Sequence, residues 1–252
     1  MPRFFVQADQ IDQENGTVTL RGADAHHVAR SLRMAAGESI TVCDALCEYD
    51  CVLEVFHDER EVIARITGSR PVSTEPPFSA HLYQALPKGD KLDSIIQKAV
   101  ECGVNTVTPF ESAHCIVRIK RDAEEKKTER RRRIALEAAK QCGRGSIPEI
   151  VPSVSFAEAL SQASAADLAL FCYEGEGTQP LRTVISSFAT ACPAGKVPNI
   201  SLMIGSEGGF SAAEAQAARD AGMIPVGLGR RILRTETAAA FVLACLVYEW
   251  EL

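Results

Sequence analysis

Ile200-Ser201-Leu202-Met203-Ile204-Gly205-Ser206-Glu207-Gly208-Gly209-Phe210-Ser211-Ala212-Ala213-Glu214 runs from an apolar strand, through a turn holding three glycines, into a helix. Glycines placed directly after a strand permit positive φ and close approach of the backbone to a ligand. Ser211 with Glu214 three residues on forms a capping box, so the helix starts at about Ala212. A tight strand-to-helix turn accounts for one glycine but leaves the other two unexplained. The spacing is neither G-x-G-x-x-G nor a phosphate loop with Gly-Lys-Ser, which disfavours ordinary dinucleotide and nucleoside-triphosphate binding.

On either side of this stretch, strands and helices alternate. His81 to Leu86, Asn105 to Phe110, Asp167 to Cys172, Ile200 to Ile204 and Ile224 to Leu228 read as strands. Asp90 to Cys102, Ala123 to Cys142, Gln179 to Ala189, Ala212 to Ala221 and Thr237 to the end read as helices. Such alternation implies an α/β fold with a parallel sheet covered on both faces. Ligands of such sheets sit outside the carboxyl ends of the strands, which directs attention to the loops after Cys172, Ile204 and Leu228. The last of these, Leu228-Gly229-Arg230-Arg231-Ile232-Leu233-Arg234-Thr235-Glu236-Thr237-Ala238, crowds three arginines, a glutamate and two threonines between a strand and a very apolar helix. Solvated arginines with Thr235 or Thr237 as a helix cap would explain each piece but not the cluster, and loops of this chemistry on rigid scaffolds commonly serve function. Cys172-Tyr173-Glu174-Gly175-Glu176-Gly177 is a weaker candidate of the same kind. The final helix, with Phe241, Leu243, Leu246, Val247 and Trp250, is apolar nearly all round and must be buried in the core or against a second subunit.

The first seventy residues differ. Thr17 to Leu20, Ser39 to Cys43, Tyr49 to Phe56 and Glu61 to Thr67 read as short strands, with one helix at about Ala23 to Met34, and suggest a small barrel-like β domain. The proline-dense Arg70 to Pro77 is an extended linker. It places the domain boundary at 1–71 and 72–252.

Whole-chain properties narrow the class. Of 252 residues, 46% are hydrophobic and 24% charged, as in ordinary globular proteins. No apolar run is long enough to span a membrane, and Met1-Pro2-Arg3-Phe4-Phe5 turns polar too soon for a secretory signal. Nine scattered cysteines fit free thiols and a cytoplasmic setting. Cys43-x-x-x-Cys47-x-x-x-Cys51 lacks a nearby fourth ligand, so no metal is expected. The net charge of −6 excludes a strongly basic nucleic-acid binder, but not a local basic patch. Arg118 to Arg144, including Lys120, is rich in basic residues, yet five acids interleave there, and a solvated helix face is the ordinary reading. His26, Arg30 and Arg33 share a helix face by i, i+4, i+7 spacing, and their clustering points to phosphate contact.

The pairing of Ile204-Gly205-Ser206-Glu207-Gly208-Gly209-Phe210-Ser211 with Leu228-Gly229-x-x-Ile232-Leu233-Arg234-x-Glu236-Thr237-Ala238 resembles the SPOUT methyltransferases, and within them the RsmE family. Pro2-Arg3-Phe4-Phe5, His26-His27-Val28-x-x-Ser31-Leu32-Arg33, Pro87-Lys88-Gly89-Asp90-Lys91 and Glu137-Ala138-Ala139-Lys140-Gln141-Cys142-Gly143-Arg144 agree, so the resemblance covers almost the whole chain. It implies a PUA-like RNA-binding β domain at 1–71 and, at 72–252, a SPOUT domain with a trefoil knot. It implies a homodimer that uses S-adenosyl-L-methionine to methylate N3 of a uridine in 16S ribosomal RNA of the small subunit. Cofactor contacts then fall on Tyr173, Leu202, Ile204, Gly205, Gly208, Gly209, Leu228, Gly229, Ile232, Leu233, Thr237 and Ala238. RNA contacts fall on Arg3, His26, His27, Arg30, Arg33, Lys88 and Arg144. Because uracil N3 carries a proton, the site needs a base or a cationic donor. Arg234 is the candidate cation, and Glu207 or Glu236 the candidate base. One departure is Asp44-Ala45-Leu46, which stands where the family usually has a glycine-containing turn. Two rival readings are a SPOUT ribose 2′-O-methyltransferase, against which the distinct N-terminal domain argues, and a non-catalytic ribosome-assembly factor, against which the two intact motifs argue.

Overall fold

The computed structural model describes residues 1–57, 59–119 and 121–252, with the side chain of Arg121 also outside the description. Lys120 of the basic stretch therefore lies outside the described residues. The chain divides into two compact units, Met1–Glu75 with Ala139–Ile147, and Pro76–Ala138 with Pro148–Leu252.

The first unit contains β1 (Arg3–Phe5), β2 (Ile11–Asp12), β3 (Thr17–Arg21), α1 (Ala23–His26), β4 (Ser39–Cys43), β5 (Cys47–His57) and β6 (Glu61–Pro71). These strands form one sheet in the order β1-β4-β5-β6-β3-β2, antiparallel except for the β1–β4 pair. Alternation along the strands sends Val18, Leu20, Ile40, Val42, Leu53, Val62 and Ala64 into a common core with Phe4 and Val28. The Asp44-Ala45-Leu46 turn replaces glycine by local hydrogen bonding. Ala45 takes a left-handed φ of 73°, and Asp44 Oδ1 accepts from the amides of Leu46 at 3.0 Å and Cys47 at 2.7 Å.

The helix expected from Ala23 to Met34 is shorter and irregular. After α1 the chain widens into a π turn over His27–Ser31, closed by Leu32 N–H to His27 O, and Arg33 then adopts φ 53°. The i, i+4, i+7 face is therefore broken before Arg33.

The second unit contains β7 (Ser79–Ala85), α2 (Lys91–Glu101), β8 (Thr106–Glu111), α3 (Arg121–Cys142, its last residues counted with the first unit), β9 (Glu149–Ile150), β10 (Val154–Ser155), α4 (Phe156–Ala163), β11 (Leu168–Cys172), β12 (Gln179–Pro180), α5 (Leu181–Ala191), β13 (Asn199–Ile204), α6 (Ala212–Asp220), β14 (Ile224–Gly227) and α7 (Thr235–Trp250). Its sheet is parallel throughout, in the order β10-β8-β7-β13-β11-β14-β12, with β9 beside β8. The α/β architecture with a parallel sheet is as the alternation implied. Because β11, β13 and β14 are neighbours, the loops at their carboxyl ends converge. Sequence reading passed over α4, although Ser155 and Glu158 form its capping box. Proline at position 180 breaks the start of the helix expected from Gln179, which begins at Leu181.

Arg144, expected as an RNA ligand, is instead buried in the first unit. Its guanidinium pairs with Glu75, and the same carboxylate accepts from Gly145 N at 3.0 Å and Ser146 Oγ at 2.8 Å. Burial pushes the Glu75 carboxyl up, but Arg144, Ser146 and the Gly145 amide more than offset this and hold it below the usual range. A lowered folded-state value means that the pair stabilises above the ordinary carboxylate range, and that this contribution fades as pH falls through the lowered value. Arg144→Ala is expected to cost about 3 kcal/mol in thermal or urea unfolding near neutral pH, because it strands a partly buried carboxylate. The deficit relative to wild type should shrink in acid.

Candidate active site

The turn after β13 is built by its sequence. Gly209 N–H donates to Ser206 O at 3.0 Å, Gly209 takes φ 62°, and Glu207 and Gly208 form the tip. A Cβ on Gly208 would come 2.9 Å from His114 Cβ, and one on Gly205 would come 3.1 Å from Gly209 Cα. A side chain at position 208 would therefore force His114 to shift, and one at position 205 would crowd the Gly209 backbone. Beyond the turn, Ser211 and Glu214 form the expected capping box, and Glu214 Oε1 also accepts from Ala113 N at 2.7 Å. His114 Nδ1 donates to Gly208 O at 2.8 Å, tying the loop after β8 to the turn.

The segment between β14 and α7 lies against this turn. Neither Thr235 nor Thr237 caps α7, whose N-cap is Arg234 without a side-chain bond. Thr235 instead donates its hydroxyl to Gly205 O at 2.7 Å and accepts from Gln84 Nε2 at 2.9 Å. This pulls the two glycine loops together at the end of β7.

Together with the loop after β11, they enclose a cavity of about 790 Å³. Ile204, Gly205, Gly208, Gly209, Leu228, Gly229, Ile232, Leu233, Ala238 and Tyr173 line it, as do Glu207 and Arg234. Leu202 does not, because it points into the core from the middle of β13. Thr237 sits on the exposed side of the first turn of α7 and is not a lining residue. Tyr173 folds back over Gly175, where a Cβ would lie 2.2 Å from its ring.

Charge gathers at one edge. Lys91 Nζ donates to Glu207 Oε1 at 2.8 Å and lies 3.8 Å from Glu236 Oε2. The Lys88 amide donates to both Glu207 oxygens at 3.2 and 3.3 Å. Burial pushes the Glu207 carboxyl up, yet the Lys91 and Lys88 bonds set it below the usual carboxylate range. The hydrogen bond to Glu207 correspondingly raises the Lys91 ammonium. Arg234 is 82% exposed, 4.0 Å from Glu236 Oε1. Ser206 Oγ and Glu236 Oε2 are buried without a hydrogen-bond partner.

Of the expected RNA ligands, His26, His27, Arg30, Arg33 and Lys88 are exposed. Arg30 is paired with Glu59, and His26 lies 3.7 Å from the same carboxylate. Arg3 is a correction like Arg144. Its guanidinium is largely buried and donates to Glu48 at 2.7 Å, to Cys43 Sγ at 2.9 Å and to Arg144 O at 3.1 Å. Among the described residues, no cluster of three or more His, Cys, Asp or Glu is arranged to hold a metal, and no helix is long and apolar enough to cross a membrane.

Sequence reading missed Lys91, His114 and Gln84 as site residues. Lys91 closes the Pro87–Lys91 stretch at the carboxyl end of β7, where the parallel-sheet rule could have found it. His114 and Gln84 carry no local signal.

A pocket of glycine loops at the strand ends of a parallel sheet defines a ligand-binding α/β domain, and comparison supplies its class. The RNA methyltransferase domain family matches residues 74–247. Ribosomal RNA small subunit methyltransferase E of Bacillus subtilis is 31% identical over 258 residues, covering 100% of this chain and 98% of that protein. The crystal structure of ribosomal RNA small subunit methyltransferase E from Neisseria gonorrhoeae, bound to S-adenosyl methionine, is 30% identical with a TM-score of 0.81, over 99% of this chain and 98% of that one. A methyltransferase of Legionella pneumophila with bound cofactor SAM is 31% identical with a TM-score of 0.82, over 98% and 96%. The chain belongs to the ribosomal RNA small subunit methyltransferase E family.

Thr235→Ala should lower thermal stability by an amount equivalent to about 1 kcal/mol, because it removes the hydroxyl from Gly205 O and Gln84 Nε2 and leaves these two with their longer mutual bond of 3.4 Å and the Gln84 bond to Ala85 O at 3.0 Å. Thr235→Ser should recover most of the loss in the same calorimetric scan.

Proposed function

We propose that this chain is an S-adenosylmethionine-dependent methyltransferase that modifies N3 of a uridine in 16S ribosomal RNA of the small subunit. The observation that carries the reading is the cavity closed by two glycine loops at the strand ends, in a chain of this family. The residues fit the cofactor. Ile204, Leu228, Leu233 and Ala238 give apolar walls for a flat heterocycle, and the volume lies within the ordinary range of small-molecule and cofactor pockets. Gly205 and Gly208 keep the turn free of bulky side chains, and Ser206 among the lining residues holds a hydroxyl still lacking a partner. When bound, the cofactor supplies an electrophilic methyl group on a sulfonium.

The chain's own residues do the remainder. The backbone at Gly205, Gly209 and Gly229 orients the ligand. Glu207 or Glu236 is assigned to receive the uracil proton; of the two, Glu207 lines the cavity. Arg234, projecting beside the cavity, offers a forked donor to the uracil oxygen as negative charge develops there.

Residues 1–71 are assigned as a PUA-like β barrel that contacts RNA, with His26, His27, Arg30 and Arg33 exposed on it; Lys88, exposed in the second unit, is assigned an RNA contact of its own. Residues 72–252 are assigned as the SPOUT domain. Insertion of β13 between β7 and β11, both earlier in the chain, supports a trefoil knot. A groove of about 820 Å³ along α5 and α7, with Phe241 and Tyr248 exposed, supports a homodimer; the cytoplasm is the assigned setting, where small ribosomal subunits are found. Light scattering at micromolar concentration should report twice the chain mass; monomer alone would refute the dimer.

The activity is tested by incubating the purified chain with labelled cofactor and unmodified small subunits, then identifying the nucleoside by mass spectrometry. N3-methyluridine is expected, and a ribose-methylated product would overturn the assignment. Arg234→Lys should lower the single-turnover rate about 10²–10³-fold with cofactor affinity nearly unchanged. A near-normal rate would remove Arg234 from the chemistry.

A further inference from the structure

The cations that line the glycine-loop cavity are Lys91, Arg230, Arg231 and Arg234. Lys91 is taken by Glu207 at 2.8 Å, and Arg234 meets Glu236 only at 4.0 Å. Arg230 and Arg231 are exposed, with neither a hydrogen bond nor an ion pair among the described residues. The other lining carboxylate, Glu174, makes no ion pair there either, so nothing in the cavity neutralises them. Elsewhere exposed arginines are commonly claimed, Arg30 by Glu59, Arg70 by Asp50 and Arg118 by Glu111. Those left unpaired elsewhere among the described residues, Arg33, Arg60, Arg133 and Arg182, do not line this cavity.

The cofactor of the proposed reaction carries a sulfonium, an ammonium and one carboxylate, so it is a net cation. Unpaired guanidiniums beside its cavity repel it more than they attract it. They call instead for an anion from another molecule. The chain as a whole carries a net charge of −6, so a polyanion is held only where cations are left unpaired. The segment from Leu228 to Ala238 has three arginines against one glutamate. Gly229, at φ 117°, turns the chain out of β14 in a conformation that side chains rarely adopt, and the two arginines follow it directly. Two adjacent exposed guanidiniums suit the phosphates of a nucleic-acid strand, since each can offer two parallel donors to one phosphate.

We propose that Arg230 and Arg231 bind phosphates of the RNA substrate, so that the loop walling the cofactor cavity also holds the strand whose nucleotide enters it. The proposal rests on the methyl-transfer reading of this cavity. Contacts of this kind fix the register and orientation of the strand without reading its bases. They act by displacing counterions from the backbone, so they weaken as salt rises. Cofactor binding does not need them, because removing two cations from the lip of the cavity lessens the repulsion a cationic ligand meets.

The test uses the whole chain, dye-labelled at its N-terminus, as wild type, Arg230→Ala/Arg231→Ala, Arg230→Lys/Arg231→Lys and Arg133→Ala. Binding to unmodified small ribosomal subunits is followed by fluorescence anisotropy over a KCl series at fixed Mg²⁺. Calorimetric cofactor affinity, mass by light scattering and methyl transfer to the same subunits are measured beside it. The alanine pair should weaken subunit binding about tenfold at low salt and lower the slope of log affinity against log salt by about 1.4. The lysine pair should recover most of that slope, and Arg133→Ala should match wild type. Cofactor affinity of the alanine pair should stay within about twofold of wild type or improve, with the mass unchanged. An unchanged salt slope in a folded alanine pair would overturn the proposal, as would an equal loss of slope in Arg133→Ala. Cofactor affinity that falls in step with subunit binding would assign the arginines to the cofactor, and an altered mass would assign them to a second copy of the chain; either overturns it. Wild type that transfers no methyl group would sink the functional reading instead, with the salt slopes still deciding the arginines.

Discussion

The hydrogen bond from the Thr235 hydroxyl to the Gly205 carbonyl sets the form of the site. It joins the residue that follows β13 to the residue that starts α7, and Gln84 from β7 completes the junction. Three segments are thereby fixed at one point on the sheet edge. The glycine turn cannot swing away from the Leu228–Arg234 loop while that bond holds. The apolar walls and the backbone at Gly209 and Gly229 lie on the segments it joins. Leaving either partner unsatisfied in this buried place costs more than the bond contributes by itself, which makes the junction stiff.

Charge is organised around the same junction. Lys91, Glu207 and Glu236 come from three elements, and no two of them are neighbours in sequence. The ammonium lies between carboxylates that would otherwise repel. Arg234 stays outside this set, exposed and loosely associated with Glu236. The edge therefore holds the Lys91–Glu207 ion pair, a buried Glu236 oxygen without a hydrogen-bond partner, and an exposed Arg234 guanidinium beside Glu236.

What the sequence shows of this site is what local chemistry encodes. The β13 strand, the three-glycine turn and the Ser211–Glu214 capping box are each determined by residues within a few positions of one another, and the structure has them as read. The Thr235 hydroxyl looks like a helix cap in sequence because its natural partners would be nearby amides; its actual partner is Gly205, 30 residues back. Gln84 lies 151 residues from Thr235 and His114 lies 94 from Gly208, so neither announces itself. Arg3 and Arg144 err in the other direction. Surface cations and buried ones have the same letters, and only the fold reveals that Glu48 and Glu75 claim these two. The face through His26, Arg30 and Arg33 fails for a third reason, since helical spacing assumes 3.6 residues per turn and the chain departs from it at His27.

Hydrogen exchange with and without S-adenosylmethionine measures most directly whether the two glycine loops form the cofactor site. Protection is expected to rise in 172–177, 205–210 and 228–235, with the groove along α5 and α7 little changed. Protection confined to that groove, or absent from both glycine loops at saturating cofactor, would contradict it.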